Sequence, residues 1–176
     1  FNHNAKWNRR LRRYTWDYSV TVLGVKYDAQ LQGWIDGQDS RWEMYLSQDG
    51  GFQNFLWYSG RSAIVRNNAS WTIYQSPSNP TPGLGIEYNA NSLTDASLRY
   101  TNIVPNGPEN GSYIEFAVVD DMTYDRAYTI HSIGNNNTTE MKWNHLDHNG
   151  RVKDPNHFGD NVWHCWDTAY LDATCN

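Results

Sequence analysis

The sequence predicts an all-β fold: a single-domain antiparallel β-sandwich of about ten strands, with a closed up-and-down β-barrel as the alternative. Three observations predict it. The first is a period of two: from residue 14 to 22 every even position is apolar and every odd one polar. Val25, Tyr27, Ala29 and Leu31 then alternate with Lys26, Asp28, Gln30 and Gln32. A strand turns successive side chains to opposite faces, so this pattern gives a sheet one apolar and one wet face. The second is the frequency of turn residues between such runs, the mark of hairpins joined in series. The third is composition: nine Trp, twelve Tyr and five Phe in 176 residues, with 19% charged. Aromatic side chains fit a pleated, half-buried surface, and the low charge is typical of extracellular β-proteins.

Each later element rests on the same alternation. Trp42, Met44 and Leu46 share one face of a strand, followed by Phe55 with Trp57 and by Trp71 with Ile73. Leu84, Ile86 and Tyr88 form another set, then Ala96, Leu98 and Tyr100, then Ile114, Phe116 and Val118. Tyr128 with Ile130, and Thr139, Met141 and Trp143, complete the series. Asp36-Gly37, Asp49-Gly50-Gly51, Asn106-Gly107, Gly134-Asn135 and Asn149-Gly150 are turn signals between them. The Pro-rich stretch 76–82 reads as a long connection between sheets. Helix is expected at most for a turn or two, at 91–98 or after Asp167.

The ends depart from this pattern. Residues 1–13 form a basic arm carrying Lys6, Arg9, Arg10, Arg12 and Arg13 and no acid, ahead of a single domain over 14–176. All nineteen acids lie from Asp17 onward against nine further Lys and Arg, so the body carries a net charge of −10. Cys165 and Cys175 are the only cysteines and are expected to form a disulfide. A loop of that length stabilises by about 2.8 kcal/mol in the chain-entropy model. Sequons at Asn68, Asn110, Asn136 and Asn137 permit glycosylation, although this composition gives about three by chance. No apolar run approaches the roughly 20 residues of a membrane-spanning helix. The chain opens without Met or leader, as expected of a processed mature chain. An extracellular, secreted location and no membrane span are the expectations.

Function divides three ways. The leading expectation is an extracellular structural protein that self-assembles as a fibre or oligomer subunit. Its basic arm (Lys6, Arg9, Arg10, Arg12, Arg13) would dock on the acidic patch Asp120, Asp121 and Asp125 of a neighbouring copy. Nucleic acid is the weaker partner for an arm on so acidic a body. The second reading is a non-catalytic carbohydrate-binding module, with Trp163 and Trp166 as stacking platforms for glycans. The third is a glycan-active hydrolase or lyase using two of Glu43, Glu87 and Glu115, which sit between apolar residues on strands as paired glycosidase carboxylates do. The balance leans away from an enzyme, since the same three glutamates fit the wet face of amphipathic strands.

His145, Asp147, His148 and His157 lie in a His- and Asp-rich stretch able to ligate a divalent ion, but their spacing matches no metal motif. A hairpin turn at Asn149-Gly150 explains the segment better. No cofactor is expected: the sequence has no phosphate-binding Gly loop, no G-x-S-x-G elbow and no H-E-x-x-H.

Overall fold

The computed structural model describes residues 5–65 and 67–175. Fourteen strands follow one another: β1 Lys6–Asn8, β2 Arg13–Val22, β3 Val25–Asp36, β4 Asp39–Gln48, β5 Phe55–Ala63, β6 Asn68–Ser76 and β7 Asn79–Ala90. Then come β8 Ala96–Asn102, β9 Tyr113–Val118, β10 Arg126–Ser132, β11 Asn137–Trp143, β12 Gly150–Lys153, β13 His164–Trp166 and β14 Asp172–Ala173. The one helix among the described residues is the single turn α1, Pro155–Phe158. The fold is all-β and antiparallel, as the alternation predicts. Its strands hydrogen-bond in strict chain order as one sheet that is not closed into a barrel.

The chain divides into two compact units, Phe1–Gly85 and Ile86–Asn176, and the division falls inside β7 rather than in a linker. In unit 1 the register carries one row from strand to strand: Trp7, Tyr14, Gly33, Trp42, Gly60 and Trp71 are successive cross-strand partners from β1 to β6. Partners in a row share a face. The same face therefore takes Trp16, Tyr18 and Val20 of β2, Tyr27, Leu31 and Ile35 of β3, and Met44 and Leu46 of β4. No Asp, Glu, Lys or Arg occupies a strand position on this face from β1 to β6. The opposite face is polar, with the row Lys6, Thr15, Gln32, Glu43, Ser59 and Thr72.

Glycines in the aromatic row have a packing role. A Cβ on Gly33 would meet the Trp42 ring at 2.8 Å and the Trp16 ring at 3.3 Å, and one on Gly60 would lie 2.0 Å from the Trp71 ring. The indoles lie flat over backbone that has no side chain, covering each weak strand position with a large apolar surface. Trp42 also donates its indole N–H to Ser40 Oγ at 3.1 Å. Unit 2 repeats the device: Gly150 is flanked in register by Trp143 and Trp166, and its missing Cβ would fall 2.3 Å from the Trp166 ring.

Four sequence expectations change. Phe55 and Trp57 do not share a face: Tyr58 pairs with Met44 and Leu56 with Tyr45, leaving Trp57 as the extra residue of a bulge. The bulge resets the alternation, so Phe55, opposite Leu46, joins the apolar face and is the one buried hydrophobic side chain among the described residues. Stretch 76–82 is not a long connection. Pro77 and Ser78 form a tight turn closed by Asn79 N–H donating to Ser76 Oγ, and Pro80 and Pro82 belong to β7. Their positions are two apart, so both missing donors fall on one edge of the strand and the other edge keeps its hydrogen bonds. The β11–β12 connection spans 144–149 with His148 at φ 62°, and Gly150 is already strand. The helical turn forms at neither predicted place but at Pro155, where Asp154 caps it.

Unit 2 has the same two-faced character. Leu98, Phe116, Tyr128, Met141, Val152 and His164 form one row, and Arg99, Glu115, Thr129, Glu140 and Lys153 the row beside it on the opposite face. Cys165 and Cys175 are bridged, with Cα atoms 5.3 Å apart, and tie β14 to β13.

If the indole-over-glycine contact holds unit 1 together, Gly60→Ala must displace Trp71. We expect it to cost about 1–3 kcal/mol, read as a lowered midpoint in urea. A midpoint equal to the parent's would show that the ring moves freely.

Candidate functional site

The two faces of unit 1 offer different chemistry. On the apolar face Trp7, Tyr14, Trp16, Ile35 and Trp42 wall a cleft of about 440 Å³ floored by Gly33. The rings step along it: Trp7 to Tyr14 at 5.0 Å, Tyr14 to Trp16 at 6.5 Å, Trp16 to Trp42 at 5.8 Å. These groups are not covered. Trp7 is 51% exposed and Ile35 65%.

The polar face is better ordered than the apolar one. Thr15 and Gln32, at 5% and 7% exposure, are more buried than any indole in the unit. Arg13 is the hub: its Nη1 donates to Glu43 Oε2 at 2.5 Å and to Gln32 Oε1 at 2.9 Å, and its guanidinium lies 3.6 Å from the Trp34 ring centre. Gln32 donates to Gln30, Gln30 donates to Asp17, and Asp17 pairs with Lys6 at 3.5 Å. Tyr45 O–H donates to Glu43 Oε2 at 2.9 Å; burial, then the neighbouring Glu43 carboxylate, raises its phenol above the ordinary value. Beside this network a groove of about 480 Å³ runs between Trp34, Arg41, Glu43, Arg61 and Thr72.

The arm is built into its own chain. Lys6–Asn8 pairs antiparallel with β2 as an edge strand, and Arg9, Arg10 and Arg12 stand exposed in the turn that follows. Those three make no ion pair among the described residues. Residues 1–4 of the arm lie outside the described residues. Of the predicted acidic receivers, Asp121 accepts the Thr123 and Tyr124 N–H groups, which hold its carboxyl below the usual range. Asp125 pairs with Arg126 at 3.1 Å and with the His145 ring, and Asp120 is exposed. Asp121 and Asp125 therefore help close loops of unit 2, while in unit 1 Lys6 meets Asp17 and Arg13 meets Glu43.

The other predicted sites do not assemble. Glu115 accepts from Arg99 at 2.7 Å; this bond, helped by Glu87, raises the guanidinium. Within unit 2 Glu87 and Glu115 thus act on one arginine, and within unit 1 Glu43 pairs with Arg13. Trp166 lies over Gly150, while Trp163 packs on the guanidinium of Arg151 and the ammonium of Lys153, so the two indoles form no shared platform. Among the described residues no three His, Cys, Asp or Glu side chains are placed to hold a metal. His145 is taken by Asp125, His148 stacks on Tyr170 and His157 is in α1 beside Phe158. Asn110 and Asn136 are exposed in turns and Asn68 opens β6. Asn137 donates its amide to Asp154 at 2.9 Å.

The fold and its surfaces define an amphipathic antiparallel sheet protein whose unit 1 carries an aromatic face. No family model, no curated protein and no solved structure matches the chain. The groove was not legible in the sequence. Its Arg41 and Arg61 are twenty residues apart, and only the β4–β5 register makes them neighbours.

Asp154 supplies a test of the unit 2 framework. It accepts Thr139 Oγ1 at 2.6 Å, Asn137 Nδ2 at 2.9 Å and the Asn156 and His157 N–H groups at 3.1 Å. Those bonds, Thr139 foremost, hold its carboxyl below the ordinary value. A depressed folded value means that its stabilisation is whole above the unfolded value of about 3.9 and drains as pH falls through the folded one. Asp154→Asn should lower Tm at pH 7 and flatten the acid-side fall. Parallel Tm profiles for parent and variant from pH 2 to 7 would refute this.

Proposed function

We propose that this chain is a self-assembling extracellular β-sheet protein whose unit 1 apolar face is the contact surface for a second copy. The observation that carries the reading is burial. A chain with nine Trp and twelve Tyr has one buried hydrophobic side chain among its described residues, Phe55. A second copy suits the face on electrostatic grounds. Its strand positions carry no charge, and Arg12 of the β1–β2 turn is the one charged residue that lines its cleft. The alternation demands a covered face, and a partner copy supplies the layer that neither unit holds.

The edges favour faces over strand addition. The edge strand β1 is three residues long and carries Lys6, and β14 is two residues long beside the disulfide; short, charged edges resist pairing with another chain. The disulfide also fits an oxidising, extracellular setting. Carbohydrate binding remains a second reading, favoured by the ring-lined cleft at Trp7, Tyr14 and Trp42.

Light scattering and sedimentation test the proposal. The parent should have twice the 20.4 kDa chain mass, unchanged between low and high salt, because apolar burial is not screened. Ile35→Glu and Val20→Glu, at positions already exposed, should give folded monomers. A parent monomeric at all concentrations, or a dimer that survives both substitutions, would overturn it. A dimer lost in salt would return assembly to the arm.

A further inference from the structure

We propose that the polar groove of unit 1 binds acidic saccharides, with Arg41 and Arg61 as the carboxylate receptor. The inference concerns the face opposite the proposed copy contact and stands independently of it.

Arg41 and Arg61 are direct cross-strand partners on β4 and β5. Like charges placed opposite each other are unfavourable in a sheet unless something of opposite sign lies between them. One carboxylate, Asp39, serves both, at 3.9 Å from Arg41 and 3.7 Å from Arg61. Arg41 has a firmer partner in Asp36 at 3.2 Å, and Arg61 adds the Ser70 hydroxyl at 3.2 Å while 56% of its side chain is exposed. Two guanidinium forks side by side at the mouth of a groove form a receptor for a planar carboxylate, which accepts two parallel N–H bonds.

The rest of the groove selects the kind of anion. Thr72, Ser59 and Ser70 present hydroxyls and Asp36 and Glu43 carboxylates, with the Trp34 indole as a wall. Hydroxyl and carboxylate acceptors suit a ligand that carries many O–H donors besides its charge, and about 480 Å³ is ligand-sized. A uronic acid has both features. Charge distribution agrees: by sequence, unit 1 holds nine Lys and Arg against six acids, whereas unit 2 holds five against thirteen. The free Arg9, Arg10 and Arg12 of the β1–β2 turn add positive potential that draws anions to unit 1.

Calorimetric titration of the full chain with a galacturonic acid tetramer tests this, with the methyl-esterified tetramer and inorganic sulfate as comparisons. The acid tetramer should bind, more weakly as salt rises, and the ester at least tenfold more weakly. Arg61→Ala and Arg41→Gln should each cost about tenfold or more. Circular dichroism and the solution mass of each variant separate lost binding from lost folding or lost assembly. No binding of the acid tetramer, equal binding of the ester, or full binding by Arg61→Ala in a folded protein would overturn the proposal. Sulfate displacing the tetramer at equal concentration would reduce the groove to a general anion site and equally overturn it.

Discussion

Cover for apolar side chains in this molecule comes from the neighbouring strand, and that constraint shapes the rest. A two-layered protein buries its aromatics between layers; here Trp42 lies over Gly33 and Trp71 over Gly60 within unit 1, and Trp166 over Gly150 within unit 2. A glycine in a strand costs about 0.5–1 kcal/mol relative to alanine. An indole laid on it removes apolar area from water and, at roughly 25 cal/mol per Å², more than offsets that cost. The rings lie down, and their outer surfaces pave the face. Stability within a unit and exposure of the face therefore have one origin.

The polar face supplies what the apolar face lacks, which is fixed geometry. Arg13 binds Glu43 and Gln32 and covers Trp34, joining β2, β3 and β4 through side chains alone. Gln32 is buried only because its amide both accepts from Arg13 and donates to Gln30; a buried amide left unpaired would destabilise the sheet. This hub holds Glu43 at the groove, where it accepts from Arg13 and from the Tyr45 hydroxyl.

Period two is strong evidence for which face is apolar, and nearly every strand from β2 to β11 was legible for that reason. It carries no information on what covers the face. Short strands escaped because three residues cannot display a period: Lys6–Asn8 read as part of a basic docking arm and His164–Trp166 as an aromatic cluster beside a disulfide. The Trp57 bulge escaped because an inserted residue reverses alternation without any turn signal. Among candidate sites, the Cys165–Cys175 bridge was legible from proximity in sequence. The Arg41–Arg61 pair was not, because cross-strand neighbours are set by register, and register depends on bulges and turns together.

The two proposed surfaces reinforce each other. Copies that meet through the apolar face must turn their polar faces outward, since successive residues of a strand point to opposite sides of the sheet. Each pair then presents two identical grooves related by a two-fold axis. Two weak sites on one particle act on a repeating acidic chain at a raised effective concentration, and avidity exceeds what either groove achieves alone. Arg41 and Arg61 at the groove mouth can therefore remain modest binders, and the uncovered aromatic face, costly for a lone chain, becomes the means by which a single-layered sheet gains a second site.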